Sequence, residues 1–235
     1  MQAIILAGGF GTRLKTVVSE VPKPLAPIAG KPFLYWLIQY LQNQGVKKYI
    51  FSLGYMHEMV KDFLSKEFPS IEFNCVIENE PLGTGGAIKL ALNYVHDEQI
   101  IVLNGDTFFN LNLKDFTESF QQQNADCCMA LTPMKNFDRY GSVTLNQDNL
   151  ITQFNEKRYC ENGLINTGII AFKKSVFQDK TKHLPKNFSF EKDFLEPNVQ
   201  FLKVTGYIAA QYFIDIGVPE DYYKANDELA KVIGK

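Results

Sequence analysis

Met1-Gln2-Ala3-Ile4-Ile5-Leu6-Ala7-Gly8-Gly9-Phe10-Gly11-Thr12-Arg13-Leu14 opens the chain, and the fold is read outward from it. The apolar run from Ala3 to Ala7 reads as a buried β-strand. It runs into glycines at 8, 9 and 11, with Arg13 two residues past the last and Lys23 further on in Pro22-Lys23-Pro24. Glycines let backbone N–H groups come close to an anion, because no Cβ intervenes and φ > 0 is open to them. Two cations beside such a loop point to a polyphosphate, and so to a nucleoside triphosphate. The residues after Gly11 are Thr12-Arg13-Leu14, not the Lys-Ser/Thr of a P-loop. A dinucleotide fingerprint needs glycine where Leu14 stands, which argues against a dehydrogenase. A plainer reading of the loop alone stays open: a glycine turn after an edge strand, with Arg13 and Lys15 solvated.

Beyond the loop, strand and helix signals alternate. Strands are predicted over residues 2–6, 49–53, 71–77 and 99–103. Between them, Pro32 opens a helix whose stripe is Phe33, Leu37, Tyr40 and Leu41, and Gly45 ends it. Further helices are predicted over residues 55–68, stopped by Pro69, and 84–94. This order predicts an α/β fold: a Rossmann-like, mostly parallel mixed sheet flanked by helices. The second half carries shorter strands, over residues 126–132, 142–145, 151–155 and 165–172. They suggest an antiparallel or mixed extension laid over one end of the sheet as a small, lid-like lobe. A late strand over residues 212–215 precedes a helix begun by Pro219. No repeat, low-complexity tract or linker divides the chain. The expectation is one domain over 1–235, with a nucleotide-binding half to about residue 125 and a substrate half from about 126.

Ligands of open α/β sheets bind at the carboxyl ends of the strands. The glycine loop follows the first strand, Asp106 the fourth, and Asp215 the late one. A phosphate loop and two carboxylates are what magnesium-assisted nucleotide chemistry needs, since Mg²⁺ takes carboxylate, phosphate and water oxygens. Taken singly, Asp106 in Asn104-Gly105-Asp106 and Asp215 before Ile216-Gly217 could each be turn formers.

Composition narrows the class. The chain has 235 residues, 46% of them hydrophobic, and 24 Lys and Arg against 26 Asp and Glu, for a net charge of −2. That balance gives no reason to expect nucleic acid as a partner. No apolar run nears the ~18–20 residues of a membrane span, and the first apolar stretch, which lacks a basic flank and ends in Gly8-Gly9, is not expected to act as a signal peptide. Cys75, Cys127, Cys128 and Cys160 lack metal-like spacing, and His57, His96 and His183 are scattered among them. Cys127 and Cys128, if in a strand, point to opposite faces. Reduced thiols in a cytoplasmic protein are expected.

With these residues in view, the chain resembles the nucleotidyltransferases that activate sugar 1-phosphates. The resemblance is carried by Leu6-Ala7-Gly8-Gly9-Phe10-Gly11-Thr12-Arg13-Leu14 and Lys23-Pro24, and supporting motifs extend to residue 221. It departs at Lys15-Thr16, where relatives often place a proline. It implies that Leu6, Ala7, Gly8, Gly9, Gly11 and Thr12 hold the nucleoside and phosphates. Arg13 and Lys23 would grip the phosphates, and Asp106 and Asp215 would hold Mg²⁺. Glu80-Pro81-Leu82-Gly83-Thr84-Gly85-Gly86-Ala87 is similar to the family's base-recognition segment, with Glu80, Gly83 and Thr84 against the base. Its glycines are expected to allow close approach, and its helix start to offer free N–H groups.

On the sugar-phosphate side the resemblance implies Tyr140 and Gly141, then Glu156 to accept from sugar hydroxyls and Lys157 to bind the phosphate. Asn166 and Thr167, in Asn166-Thr167-Gly168, would contact the sugar. The subgroup most similar in pattern guanylylates D-glycero-D-manno-heptose 1-phosphate for bacterial surface glycans such as capsules. The partners implied are a nucleoside triphosphate, GTP in that subgroup, and a sugar 1-phosphate. Mannose 1-phosphate with GTP, an amino-sugar phosphate with UTP, and a silent nucleotide-sugar sensor stand as alternatives. Longer relatives carry a second, carboxyl-terminal activity; with the sequence ending at Lys235, a single activity is expected. The sequence leaves the oligomeric state open, and a small homo-oligomer fits it.

Overall fold

The computed structural model describes residues 1–9, 11–14 and 16–234. Phe10 and Lys15, quoted above, lie outside the described residues, as does the side chain of Thr12. Strand β1 (Gln2–Ala7) leads through two 3-10 turns (Thr12–Leu14 and Lys23–Leu25) to the ribbon of β2 (Pro27–Ile28) and β3 (Lys31–Pro32). There follow α1 (Phe33–Asn43), β4 (Lys48–Leu53), α2 (His57–Glu67), β5 (Glu72–Ile77), α3 (Gly83–Ala91) and β6 (Gln99–Asn104). Next come β7 (Thr107–Phe109), α4 (Leu113–Gln122), β8 (Cys127–Phe137), β9 (Ser142–Leu145), β10 (Ile151–Asn155), β11 (Cys160–Lys173) and α5 (Lys174–Thr181). A π-helical stretch (Phe190–Leu195), α6 (Glu196–Asn198), β12 (Val204–Ile208), β13 (Phe213–Asp215) and α7 (Pro219–Ile233) complete the order.

The alternating side chains of β1 divide two cores. Ala3, Ile5 and Ala7 pack with α1, α2, α4 and α7, while Ile4 packs on the other face with α3 and α5. Strand period two sends neighbours to opposite faces, and Cys127 and Cys128 obey the same rule, one in each core. All four cysteines are free thiols. Burial pushes the thiol of Cys128 up to about 11, so at neutral pH it is an inert apolar side chain.

The strand order β6-β1-β4-β5 is parallel throughout. The chain moves outward from β1 through β4 to β5, then returns through α3 to place β6 on β1's other side. That reversal opens a crevice at the carboxyl ends of β1 and β6. The second half forms the expected antiparallel and mixed extension, but it continues the sheet instead of lying over one end of it. Strand β11 pairs antiparallel with β6, Ile169 opposite Leu103, and carries β8, β9 and β10 with it, so one sheet runs through both halves. The reason is the length of β11, which is 14 residues long, enough to pair with β6, β8 and β9.

Local chemistry sets the boundaries. Gly45, at φ 78, ends α1, and the Val46 N–H donates to the Leu41 carbonyl. Helix α2 starts two residues later than expected because Met56 takes a left-handed turn, φ 54. No helix among the described residues is long and apolar enough to cross a membrane.

Candidate active site

Four segments converge on the crevice. Gly105 is the hinge of the first contact. Its N–H donates to the Leu6 carbonyl at 2.8 Å, and a Cβ there would lie 2.8 Å from the same oxygen. Only glycine lets β6 end this close to β1, and the close approach delivers Asp106 to the glycine loop. Asp215 arrives by a separate route. Strands β13 and β7 form a two-stranded ribbon with Asp215 opposite Thr107, and the Ile216 N–H donates to the Asp106 carbonyl at 3.1 Å. Two carboxylates distant in sequence thus become neighbours.

Lys23 lies between them. Its Nζ is 2.7 Å from Asp106 Oδ2 and 3.5 Å from Asp215 Oδ1. Asp215 Oδ1 also accepts from the Gly217 N–H at 2.7 Å. The lysine side chain is 9% exposed. Arg13 differs: it is exposed, and no carboxylate pairs with it among the described residues. A small cavity of about 170 Å³ is lined by Leu6, Ala7, Gly9, Gly11, Arg13, Lys23, Asp106 and Gly217. It shares Leu6, Gly9 and Asp106 with a larger cleft of about 680 Å³, whose far wall includes Glu78, Glu80, Gly83 and Thr84.

The far wall corrects one expectation. The glycines of the 82–87 segment make room for the protein's own chain. A Cβ at Gly83 would lie 2.6 Å from the Phe188 carbonyl oxygen, at Gly85 2.2 Å from the Phe188 ring, and at Gly86 2.1 Å from the Lys186 carbonyl oxygen. The Gly85 N–H donates to the Phe188 carbonyl at 2.9 Å, and Thr84 Oγ1 accepts from the Phe190 N–H at 2.9 Å. These contacts fix the start of α3, whose backbone still borders the cleft. Glu80 is exposed there, with no hydrogen-bond partner among the described residues.

Glu78, at the carboxyl end of β5, is a site residue the motif reading misses. Its Oε1 accepts from Ser52 Oγ at 3.0 Å and its Oε2 from the Leu82 N–H at 3.3 Å. A Cβ at Gly8 would lie 2.5 Å from Oε1, so Gly8 is glycine to clear this carboxylate. The strand-end rule that found Asp106 could have found Glu78. Burial raises its pKa, opposed by the Ser52 and Leu82 bonds. A carboxyl held above its unfolded value binds its proton more tightly in the folded chain, so stability falls as pH rises through that interval. Glu78→Gln removes the charge; its carbonyl oxygen can accept from the Leu82 N–H, and its amide group can donate to Ser52 Oγ, which reverses that bond. It is expected to raise Tm above that interval, by about 2–4 °C per kcal/mol relieved. The gain should close as pH falls below the ordinary carboxylate range, and melting curves from pH 4 to 8, on the order of one per pH unit, check this.

The residues expected on the sugar-phosphate side are a second set, none of them lining either cavity. Tyr140 packs edge-on against Phe213, with centroids 6.0 Å apart, and burial first, then the Asp215 charge, pushes its phenol up to about 12. Gly141 faces the Asn155 carbonyl, which a Cβ would approach to 2.9 Å. Arg139 pairs with Asp221 at 2.6 Å, tying this turn to the start of α7. Glu156 and Lys157 are exposed beyond β10. Asn166 Nδ2 donates to Glu191 Oε2 at 3.2 Å, so Glu191 of the π-helical stretch joins this group unannounced by any motif. Thr167 is a correction. It is 1% exposed, its hydroxyl donates to the Ala130 carbonyl at 2.8 Å and its carbonyl accepts from the Thr107 hydroxyl at 3.1 Å, so it buttresses this turn instead of facing a ligand. Gly168, at φ 83, lies against Asn104 and Thr107 and joins this group to the crevice.

Residues 2–232 match the family model described as nucleotidyl transferase. The chain belongs to the nucleotidyl transferase family. The transferase is 46% identical over 233 residues to the D-glycero-alpha-D-manno-heptose 1-phosphate guanylyltransferase of Aneurinibacillus thermoaerophilus, covering 99% of this chain and 100% of that one. It is 47% identical over 223 residues to the Campylobacter jejuni protein of the same name, covering 95% and 97% of the two chains. Among solved structures, HddC from Yersinia pseudotuberculosis complexed with GMP-PN superposes with a TM-score of 0.86 at 42% identity, covering 97% of the transferase and 98% of that chain.

Proposed function

We propose that the transferase moves the guanylyl group of GTP onto D-glycero-α-D-manno-heptose 1-phosphate, giving GDP-heptose and pyrophosphate. The observation that carries this reading is near-full-length identity of 46% and 47% to two proteins of that named activity. The crevice supports it chemically. An oxygen of the sugar phosphate attacks the α-phosphorus of GTP; a new P–O bond forms there and the bond to the β-phosphate breaks. The nucleophile is already anionic, so no general base is required, and the barrier is the meeting of two anions. Arg13 and Lys23 offset that repulsion at the triphosphate and Lys157 at the sugar phosphate. The backbone of Leu6, Ala7, Gly8, Gly9, Gly11 and Thr12 holds the phosphates and nucleoside. Guanine presents N1–H and an amino group, and Glu80, free of other partners, is the acceptor on the cleft wall. Tyr140, Gly141, Glu156 and Asn166 take the sugar.

The donor set also suits a divalent cation. Asp106 Oδ2 and Asp215 Oδ1 both reach one ammonium, at 2.7 and 3.5 Å, so one cation can touch both. No group of three or more His, Cys, Asp or Glu converges among the described residues. Phosphates and water would complete the shell, which is the habit of Mg²⁺. When bound there, Mg²⁺ supplies charge neutralisation and orientation of the phosphates. We place the reaction in the cytoplasm, feeding surface-glycan synthesis such as capsule.

The test is pyrophosphate release with Mg²⁺, pairing GTP, ATP, CTP and UTP with heptose, mannose, glucose and N-acetylglucosamine 1-phosphates. Release confined to GTP with the heptose phosphate is expected. Release with mannose 1-phosphate and GTP, or an amino-sugar phosphate and UTP, would reassign the substrates. Silence across the panel from folded protein would favour a sensor.

A further inference from the structure

Lys23 Nζ occupies the point between Asp106 and Asp215, 2.7 Å from one and 3.5 Å from the other. Two glycines fit it there. A Cβ at Gly11, where φ is 58, would lie 3.0 Å from Lys23 Cβ, and a Cβ at Gly217 would lie 3.0 Å from Lys23 Nζ. The stem thus passes over one glycine and the ammonium rests beside another. Prolines 22 and 24 flank the lysine and restrict its backbone. Arg13 stands nearby, exposed and unpaired with any carboxylate among the described residues, available to meet an incoming triphosphate.

We propose that the Lys23 ammonium is the resident cation of the metal-free enzyme, holding Asp106 and Asp215 at the place the divalent cation takes. The metal enters as the triphosphate draws the ammonium away. This rests on the reading that the two aspartates hold metal. A cation that must displace another binds with its affinity reduced by the fraction of molecules in the open state. Metal alone therefore binds weakly, nucleotide strengthens it, and by linkage metal strengthens nucleotide by the same factor. The two ligands load together, and the aspartate pair is never left as two uncompensated charges.

The experiment measures Mn²⁺ binding by electron paramagnetic resonance and the Mg²⁺-dependent shift in Tm. It uses the parent enzyme, Lys23→Met and Arg13→Met, each with and without an unreactive GTP analogue. Without nucleotide, Lys23→Met is expected to bind Mn²⁺ at least about tenfold tighter than the parent, and Arg13→Met to change by less than about threefold. With the analogue, the parent is expected to gain at least about tenfold. Equal binding by the parent and Lys23→Met overturns the proposal and leaves the metal reading standing. An equal gain in Arg13→Met also overturns it, since loss of any nearby positive charge would then suffice. A parent that binds no Mn²⁺ even with the analogue removes the metal reading, and the proposal with it. If Lys23→Met fails to fold, Lys23→Gln takes its place in the same comparison with the parent and Arg13→Met.

Discussion

Lys23→Ala is expected to lower kcat for pyrophosphate release by about 10²–10³-fold, the usual loss when one preorganised charge contact is removed. That corresponds to about 3–4 kcal/mol of transition-state stabilisation. The folded state loses far less. Asp106 is 37% exposed and rehydrates when its partner goes, so the pair is worth about 1 kcal/mol and a Tm drop of about 2–4 °C. The disparity is the diagnostic: a lysine that only held the fold would move Tm and kcat together. Steady-state kinetics beside a melting curve on the same preparation decides it. Near-parent turnover would remove Lys23 from the reaction.

Gly86→Ala is the largest expected structural effect. The new methyl would lie 2.1 Å from the Lys186 carbonyl oxygen, which is backbone and cannot swing aside. The segment from Lys186 to Phe188 must lift from α3, weakening the donation of Gly85 and Gly86 to the Phe188 carbonyl and of Phe188 to the Leu82 carbonyl. Overpacking and strained hydrogen bonds together cost about 3 kcal/mol, which lowers Tm by about 6–12 °C. The nucleotide's KM should rise with it, because the same segment shapes the cleft wall. Gly9→Ala is the contrast. Nothing lies within 4 Å of a Cβ at Gly9, so Tm should hold while nucleotide binding falls, since that open space belongs to the ligand. Paired melting and nucleotide titrations of the two variants separate a glycine required by the protein from one required by its substrate.

The parallel half of the fold is legible because its elements carry periodic signals. The stripe of Phe33, Leu37, Tyr40 and Leu41 sits in α1, three of them fully buried and Tyr40 nearly so. Strands β9 and β10 begin and end where alternation predicts. The elements missed are short or are held by long-range partners. Strand β7 is three residues long and exists because β13 pairs with it. Strand β12 forms against β8. Helix α4 does carry a signal, since Asn112 caps it by accepting from the N–H groups of Lys114 and Asp115. At the site, Asp106 and Asp215 are legible from strand ends, and Arg13 and Lys23 from the loop. Glu78 follows a predicted strand and is open to the same rule, whereas Glu191 and the Arg139–Asp221 pair are not, because each matters only through a partner distant in sequence. Gly85 and Gly86 show a related limit: a motif marks where glycine is needed, and only the fold tells what presses against it.

The ribbon of β7 and β13 also sets a schedule. Translation at about 5–20 residues per second completes Lys23 and Asp106 roughly 5–20 s before Asp215 emerges, about a hundred residues later. Throughout that interval the nascent chain holds the residues of β1 through β6 and of the glycine loop, yet it lacks the carboxylate that closes the centre. A ribosome-bound or prematurely terminated chain is thereby mute in the reaction, and competence arrives late, in one step, when the strand ending at Asp215 docks.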